Sequence, residues 1–240
     1  MISRNNNGGV MSHKIIKLSS LVLAAAAAGF STQAFSAGFS LFEQGASGQG
    51  VAYAGASAVG EDASTIYFNP AAMTRLSGQQ IVVAGHIVVP QSEYKDSGQS
   101  SLPDFPPGSL TGPNSDGGST GFIPNFYWAA KLDNDLHVGV GVNVPFGLAT
   151  EYDDGWVGRY HGLKSEITTI NINPSMAWKA TNTVSLGFGL SFQYIDIELT
   201  NNIFSPAGCA AVSSACATAG DSQLKLEGED MSIGWNVGVL

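Results

Sequence analysis

Residues that catalyse reactions or bind metals are few in this sequence, and their spacing suits neither task. One compact acidic group comprises Glu151, Asp153 and Asp154. Such a group could work as an acid–base set or bind Ca²⁺, but its spacing differs from that of the known calcium loop. The histidines His86, His137 and His161 stand apart, which argues against a metal site. No serine lies in a nucleophile-elbow context, so we expect no enzyme, no metal and no cofactor.

The composition indicates a β-rich protein in surroundings other than water. Of the 240 residues, 44% are hydrophobic and only 12% are charged, whereas charged residues make up about a quarter of a soluble domain. Aromatic residues make up 10% of the chain, which excludes a disordered acidic tail. The net charge is −9 and the pI is about 4.7, so we expect no nucleic-acid partner.

The N-terminal region has the features of a secretory signal peptide. The first 36 residues carry charges only on Arg4, Lys14 and Lys17, and residues 18–30 form an apolar stretch. Small residues at positions 34 and 36 predict cleavage between Ser36 and Ala37. The alternative, a membrane anchor, would need about 20 apolar residues. We therefore assign residues 1–36 to a signal peptide.

Six later segments alternate between apolar and small or polar residues. They cover residues 81–89, 122–132, 136–144, 170–178, 184–194 and 231–239. Their second face is built from Gly, Ser, Asn and Thr, as expected for the inner wall of a transmembrane β-barrel with strands of about ten residues. A soluble β-sandwich is the alternative, but its strands are shorter and its outer face carries more charge. The pattern predicts an all-β, antiparallel barrel in an outer membrane.

The connections alternate in length, as they do in outer-membrane barrels. Short turns lie at 133–135 and 181–183, and long segments at 91–121, 146–163 and 201–228. Short turns would face the periplasm and long loops the exterior. The third long segment contains Cys209 and Cys216, the only cysteines of the chain. Export through an oxidising compartment predicts that they form a disulfide.

Residues 37–78 do not alternate and are rich in small residues. Because they precede the first strand, they are a candidate plug, or hatch, inside the barrel. A periplasmic tail is the alternative. Residues 79–240 are then the N-terminal part of a barrel that is incomplete, since the smallest outer-membrane barrels need about eight strands. We expect the chain to be a fragment that forms no working channel alone.

Six motifs, in order along the chain, resemble the outer-membrane long-chain fatty acid transporter family (FadL-like). They are Ala-Gly-Phe at 37–39, Gly-Gln-Gly-Val-Ala at 48–52, Asn69-Pro70-Ala71, Phe-Ile-Pro-Asn at 122–125, Pro-Phe-Gly-Leu-Ala-Thr-Glu-Tyr at 145–152, and Gly-Trp-Asn-Val-Gly at 234–238. The resemblance implies a fourteen-stranded barrel, monomeric at full length, with an N-terminal hatch. It also implies uptake of long-chain fatty acids or other hydrophobic compounds, with lateral release into outer-membrane lipid beside a kinked third strand.

In this sequence the third strand runs into Pro145, Phe146 and Gly147. Pro145 has no amide hydrogen for strand pairing, and Gly147 tolerates unusual backbone angles. Together they predict a break in pairing and a gap in the barrel wall. The alternative is that the strand simply ends there and a loop begins.

A fatty acid needs an apolar pocket with few polar anchors. Phe39, Leu41 and Phe42 are candidate contacts for its tail, although they could instead pack only within the hatch. Arg159 is the candidate anchor for the carboxylate, with Arg75 and Lys164 as further basic residues. Asn201 and Asn202 stand where some family members carry a basic residue, so a neutral hydrocarbon or aromatic ligand is the alternative.

Two other functions remain open from the sequence. A general porin or structural outer-membrane protein would share the alternation and the loop asymmetry, but not the hatch or the Asn-Pro-Ala motif, and would pass small polar solutes. An extracellular adhesin sandwich would share the export signal and the disulfide, and would be soluble without detergent.

Overall fold

The computed structural model describes residues 40–101, 106–204 and 221–240. The predicted signal peptide, Phe39 and both cysteines lie outside the described residues, so these predictions stay predictions. Among the residues described, no helix is both long enough and apolar enough to cross a membrane.

Short helices come first and strands follow. The helices are α1 (Ala46–Gln49), α2 (Ala56–Val59), α3 (Thr65–Phe68) and a 3₁₀ helix (Pro70–Arg75). The strands are β1 (Gln79–Val88), β2 (Glu93–Tyr94), β3 (Ser115–Asp116), β4 (Gly121–Lys131), β5 (Leu136–Asn143), β6 (Gly147–Glu151), β7 (Lys164–Lys179), β8 (Ser185–Ile203) and β9 (Ser222–Val239). All six alternating segments are strands, as predicted.

The main sheet is antiparallel and has the strand order β1-β4-β5-β7-β8-β9, with β6 paired to β7. Strands β2 and β3 form a separate two-stranded hairpin within the first long connection. Neighbouring strands in the chain are neighbours in the sheet, which is the meander topology of an outer-membrane barrel wall. The wall is open in the described residues.

The apolar face of the sheet is its exposed face. Ile233 and Trp235 are 73% and 71% exposed, while polar residues on the opposite face, such as Asn125 and Asn143, are 2% and 1% exposed. A sandwich would bury its apolar face against a second sheet. This wall instead turns the apolar face outward, as lipid requires, so the sandwich alternative is wrong.

Strands β7, β8 and β9 extend well beyond their predicted ends. The predicted ends lie where the two faces exchange polarity. Beyond Tyr194 the outward positions of β8 carry Asp196 and Glu198, and the inward positions carry Ile195 and Ile197. Backbone pairing continues through this exchange. The extensions of β8 and β9 shorten the predicted loop at 201–228, and β6 lies within the predicted loop at 146–163.

The residues before β1 pack on the polar face of the sheet. Ile66, Met73 and Leu76 form a buried cluster with Tyr127 of β4 and Ala177 of β7. This core holds the helical segment against the wall. The helices are short because their sequence is rich in Gly and Ser, which end helices rather than extend them.

Candidate functional site

One strand of the wall is interrupted. Strands β5 and β6 both pair with β7, so they are two halves of one strand. Asn143 pairs with Asn171 and Gly147 pairs with Thr168, so residues 144–146 lie opposite only residues 169 and 170. One extra residue on one side of a ladder is a β-bulge, which bends its strand. The break in pairing predicted at Pro145 is present.

A threonine side chain replaces the missing ladder bonds at the bulge. The amide of Phe146 donates to Oγ1 of Thr169 at 2.9 Å, and the same hydroxyl donates to the carbonyl of Phe146 at 2.6 Å. Thr169 is fully buried. Pro145 supplies no amide hydrogen, and so leaves only its carbonyl to be paired. The bulge is therefore a supported structure and not a loop.

The bulge separates two strands that would otherwise be neighbours. Strand β4 pairs with β5 only from Phe126 to Lys131, and β6 pairs with β7 but not with β4. Residues 121–125 of β4 pair with β1 but not with β5 or β6. A cavity of about 650 Å³ lies between this half of β4 and β6. Its lining is mostly apolar and includes Leu41, Phe122, Pro124, Val144, Leu148 and Ile167. The charged residues Glu151, Lys164 and Glu166 also line it. The cavity lies in a gap between β4 and β6, where the two strands are not paired with each other.

The first described residues cover this gap from inside. Ser40 forms an isolated antiparallel bridge with Phe146, and the amide of Leu41 donates to the carbonyl of Pro145 at 2.9 Å. Leu41 also lines the cavity. Phe42 is 54% exposed and meets the ring of Tyr53 edge-on, within the hatch. Of the predicted tail contacts, the structure thus places Leu41 at the gap and Phe42 on the hatch.

Arg159 lies in a loop cluster and its guanidinium is already occupied. Nε pairs with the Asp221 carboxylate at 3.0 Å, and Nη1 donates to the carbonyls of Thr111 and Trp156 at 3.0 and 3.2 Å. The side chain is 1% exposed. Burial and the hydrogen bond to Asp221 raise the pKa of the neighbouring Tyr160. The geometry favours a structural role over the predicted ligand anchor, because a ligand carboxylate would have to displace Asp221.

The other basic candidates are engaged as well. Lys164 pairs with Glu166 at 2.7 Å and with Glu198 at 3.5 Å on the outward face. Arg75 donates to the carbonyl of Val59 at 3.3 Å. Lys164 does line the cavity at the gap, but its ammonium group is paired with carboxylates there, whereas Arg75 and Arg159 are not among the lining residues.

The Asn-Pro-Ala motif fixes the helical segment before β1 to the wall. The side chain of Asn69 accepts from the amide of Ala71 and so caps the 3₁₀ helix that Pro70 begins. Its Nδ2 donates to the carbonyls of Ser57 at 2.8 Å and Val239 at 3.1 Å. One side chain therefore ties together the second helix, the start of the 3₁₀ helix and strand β9.

Sequence reasoning missed a row of amides beneath the gap. Asn125, Asn143 and Asn171 lie on neighbouring strands of the inner face and are all buried. Oδ1 of Asn125, Nδ2 of Asn143 and Oδ1 of Asn171 have no hydrogen-bond partner in the described part of the chain. The signal was present in the sequence, because these residues occupy the polar positions of three alternating segments. Their common level required the register.

Gln44 and Tyr127 were also missed as a pair. Both are completely buried, and the Tyr127 hydroxyl donates to Oε1 of Gln44. They are 83 residues apart in the chain. No local pattern connects residues at that separation.

Sequence similarity relates the chain to known outer-membrane proteins. Residues 27–240 match the family described as outer membrane protein transport protein (OMPP1/FadL/TodX). The chain belongs to this family. It is 32% identical over 236 residues to the long-chain fatty acid transport protein of Escherichia coli K12, covering 91% of this chain and 51% of that protein. It is 30% identical over 235 residues to outer membrane protein P1 of Haemophilus influenzae, covering 85% and 50%.

A solved relative shows the same fold. The crystal structure of a Pseudomonas aeruginosa FadL homologue superposes with a TM-score of 0.63 at 22% identity, covering 84% of this chain and 49% of that one. The chain spans about half the length of the curated relatives it matches. The family resemblance, the barrel-wall fold and the outer-membrane location are confirmed. The family is one of transport proteins, which excludes the adhesin alternative.

Proposed function

We propose that the complete protein takes up long-chain fatty acids or other hydrophobic compounds and releases them sideways into outer-membrane lipid. The observation that carries the proposal is the apolar cavity between β4 and β6, covered from inside by Leu41. Relatives that match over 91% of this chain are named long-chain fatty acid transport proteins. A hatch rearrangement that withdraws Leu41 would open the path, and passage would be passive.

Solvation supports a sideways path over a straight one. The cavity opens towards the outward face, where Phe122 and Ile170 stand 68% and 44% exposed. Hydrocarbon that enters the cavity therefore meets apolar surface on its way out. Straight passage along the lumen would bring it to the polar inner face, where Asn125, Asn143 and Asn171 each have one amide atom without a partner in the described residues. Covering such groups with hydrocarbon costs about 1–3 kcal/mol each.

We propose that recognition depends on the apolar part of the substrate. Arg159 is paired with Asp221 away from the cavity, and Lys164, which lines the cavity, is paired with Glu166 and Glu198. Leu41 supplies an apolar contact at the gap, and Phe39 and Phe42 remain proposed tail contacts. A neutral hydrocarbon should then compete with a fatty acid of similar length.

The remaining properties follow from the same proposal. We propose a monomer at full length that acts without catalysis or cofactor, with residues 37–78 as its hatch. Lipid is its outward partner. The acidic net charge of −9 speaks against nucleic acid as a partner.

Deleting the extra residue of the bulge tests the proposal. With Pro145 removed, two residues would face Thr169 and Ile170, and the inward–outward alternation would continue from β5 into β6. We expect cells that carry the full-length protein with this deletion to take up radiolabelled oleate at least tenfold more slowly than cells that carry the wild-type protein. The matched control is Pro174→Ala, which alters a proline of β7 that pairs with Val140, away from the gap.

The outcomes separate the candidate functions. Heat-modifiable migration on gels must show that each variant still folds. Unchanged oleate uptake after the deletion would contradict lateral release. Passage of small sugars through the wild-type protein in liposome-swelling assays, without oleate uptake, would favour the general porin.

A further inference from the structure

We propose that Gln44 and Tyr127 form a latch that holds the N-terminal end of the hatch across the lateral gap. The inference rests on the lateral release proposed above and assigns its control to two residues. Gln44 is fully buried and uses both ends of its amide. Oε1 accepts from the hydroxyl of Tyr127, and Nε2 donates to the carbonyl of Leu41 at 2.6 Å.

The latch connects the two strands that the gap separates. Tyr127 belongs to β4, on one side of the gap. Leu41 is bonded through its amide to Pro145, in the interruption on the other side. The hydrogen bonds therefore run from Tyr127 through Gln44 and Leu41 to Pro145. Breaking any one of them weakens the hold on the covering segment at one side, although Asn125 on β4 and the bridge of Ser40 with Phe146 still contact it.

Tyr127 is a rigid support for this chain of bonds. It is completely buried, and its ring lies against Gly141 of the neighbouring strand, where a Cβ would approach the ring to 2.8 Å. The glycine leaves room for the ring and packing restrains its rotation. The hydroxyl is consequently held at the position of Gln44, with the side chain of Asn143 as a second polar neighbour.

Two further bonds fix the same segment but do not replace the latch. The hydroxyl of Tyr67 donates to the carbonyl of Leu41 at 3.2 Å, from within the hatch. Nδ2 of Asn125 donates to the carbonyl of Glu43 at 2.9 Å, from β4. Asn125 holds position 43, whereas only Gln44 joins β4 to Leu41 itself. Loss of one such bond should raise the population of released segment about three- to tenfold.

A nitroxide label on Ser40→Cys measures release directly. The full-length protein with Cys209→Ala and Cys216→Ala is labelled in detergent. The fraction of mobile label is read from its electron paramagnetic resonance spectrum. We expect Tyr127→Phe and Gln44→Leu to raise the mobile fraction severalfold. Tyr194→Phe removes a hydroxyl that bonds Glu229 on the outward face, and is the matched control that should leave the spectrum unchanged.

Gln44→Glu should make the mobile fraction depend on pH, which a mere loss of packing would not do. While it is protonated, the introduced carboxyl can still accept from Tyr127 and donate to the carbonyl of Leu41. Once ionised, it cannot donate and it repels that carbonyl. The mobile fraction should therefore rise with pH through the pKa of the introduced carboxyl, which burial raises. The wild-type protein should show no such step.

The latch and the proposed function fail in different ways. Equal mobility in wild type, Tyr127→Phe and Gln44→Leu, with no pH step in Gln44→Glu, would overturn the latch whatever the transport result. If the label moves as expected but oleate uptake is absent in all variants, the latch stands and the transport proposal falls. If a variant fails to fold, the pH series on folded Gln44→Glu decides alone.

Discussion

Gly187 and Gly238 face each other across β8 and β9, and together form the smooth surface on which the Asn-Pro-Ala turn rests. A Cβ at Gly187 would overlap the backbone of Pro70 and Ala71, and one at Gly238 would overlap the side chain of Asn69. The wall is thus shaped to receive the hatch motif. The two features are separated by more than a hundred residues but define one contact.

This contact predicts the effect of adding one methyl group to the wall. Gly238→Ala should displace the turn and cost about 1–3 kcal/mol, as overpacking usually does. Gly228→Ala on the same strand is the matched control, because nothing lies within 4 Å of the place its methyl group would take. The two variants are purified as full-length proteins and compared with the wild type by thermal unfolding and by protease cleavage within residues 46–75. Equal stability of the two variants would show that the motif does not rest there.

The Arg159–Asp221 pair predicts a loss of loop stability with little effect on substrate affinity. Asp221→Asn removes the charge partner of a guanidinium that is 1% exposed. Breaking a buried ion pair on one side commonly costs about 3–5 kcal/mol. We expect increased protease cleavage in residues 152–163 and unchanged oleate binding in the folded protein. Binding reduced tenfold with intact loops would restore Arg159 as a ligand anchor.

The sequence predicts the wall better than it predicts the site. Period-two alternation identifies every long strand of the main sheet, because each position faces either lipid or lumen and its polarity records which. The alternation gives no guidance beyond Tyr194, where the faces exchange polarity outside the lipid level. The register is interrupted at Pro145, a residue that acts locally, whereas the lateral opening predicted there stays a prediction.

The sequence does not show which residues far apart in the chain become hydrogen-bond or charge partners. Nothing near Arg159 indicates that Asp221 neutralises it, so its positive charge suggested a ligand. Nothing near Gln44 indicates Tyr127. Such pairs are formed by the register of the sheet and the docking of the hatch, which local patterns do not specify.

The hatch should loosen in acid through Asp62. Burial alone would raise the pKa of this carboxyl, but hydrogen bonds from Ser64 and Ser47 outweigh it and hold the pKa below its usual value. A carboxyl with a lowered pKa contributes stability above its unfolded pKa, about 3.9, and loses that contribution as the pH falls through the folded value. Hydrogen exchange of residues 46–65, corrected for intrinsic rates, should therefore increase below about pH 4. Asp62→Asn should remove most of this pH dependence, and an unchanged profile would contradict the assignment.

Thr169 should determine whether the interrupted strand keeps its shape. Thr169→Val preserves the volume but removes both hydrogen bonds to Phe146, leaving a partly buried amide unpaired at a cost of about 1 kcal/mol. Thr169→Ser keeps the hydroxyl and should restore most of the loss, which separates hydrogen bonding from packing. We expect the valine variant to unfold at lower temperature and to take up oleate at an altered rate, since the edges of the gap are no longer fixed. If valine and serine variants behave alike, the hydroxyl does not support the bulge, and the break in the wall is held by Pro145 and the hatch alone.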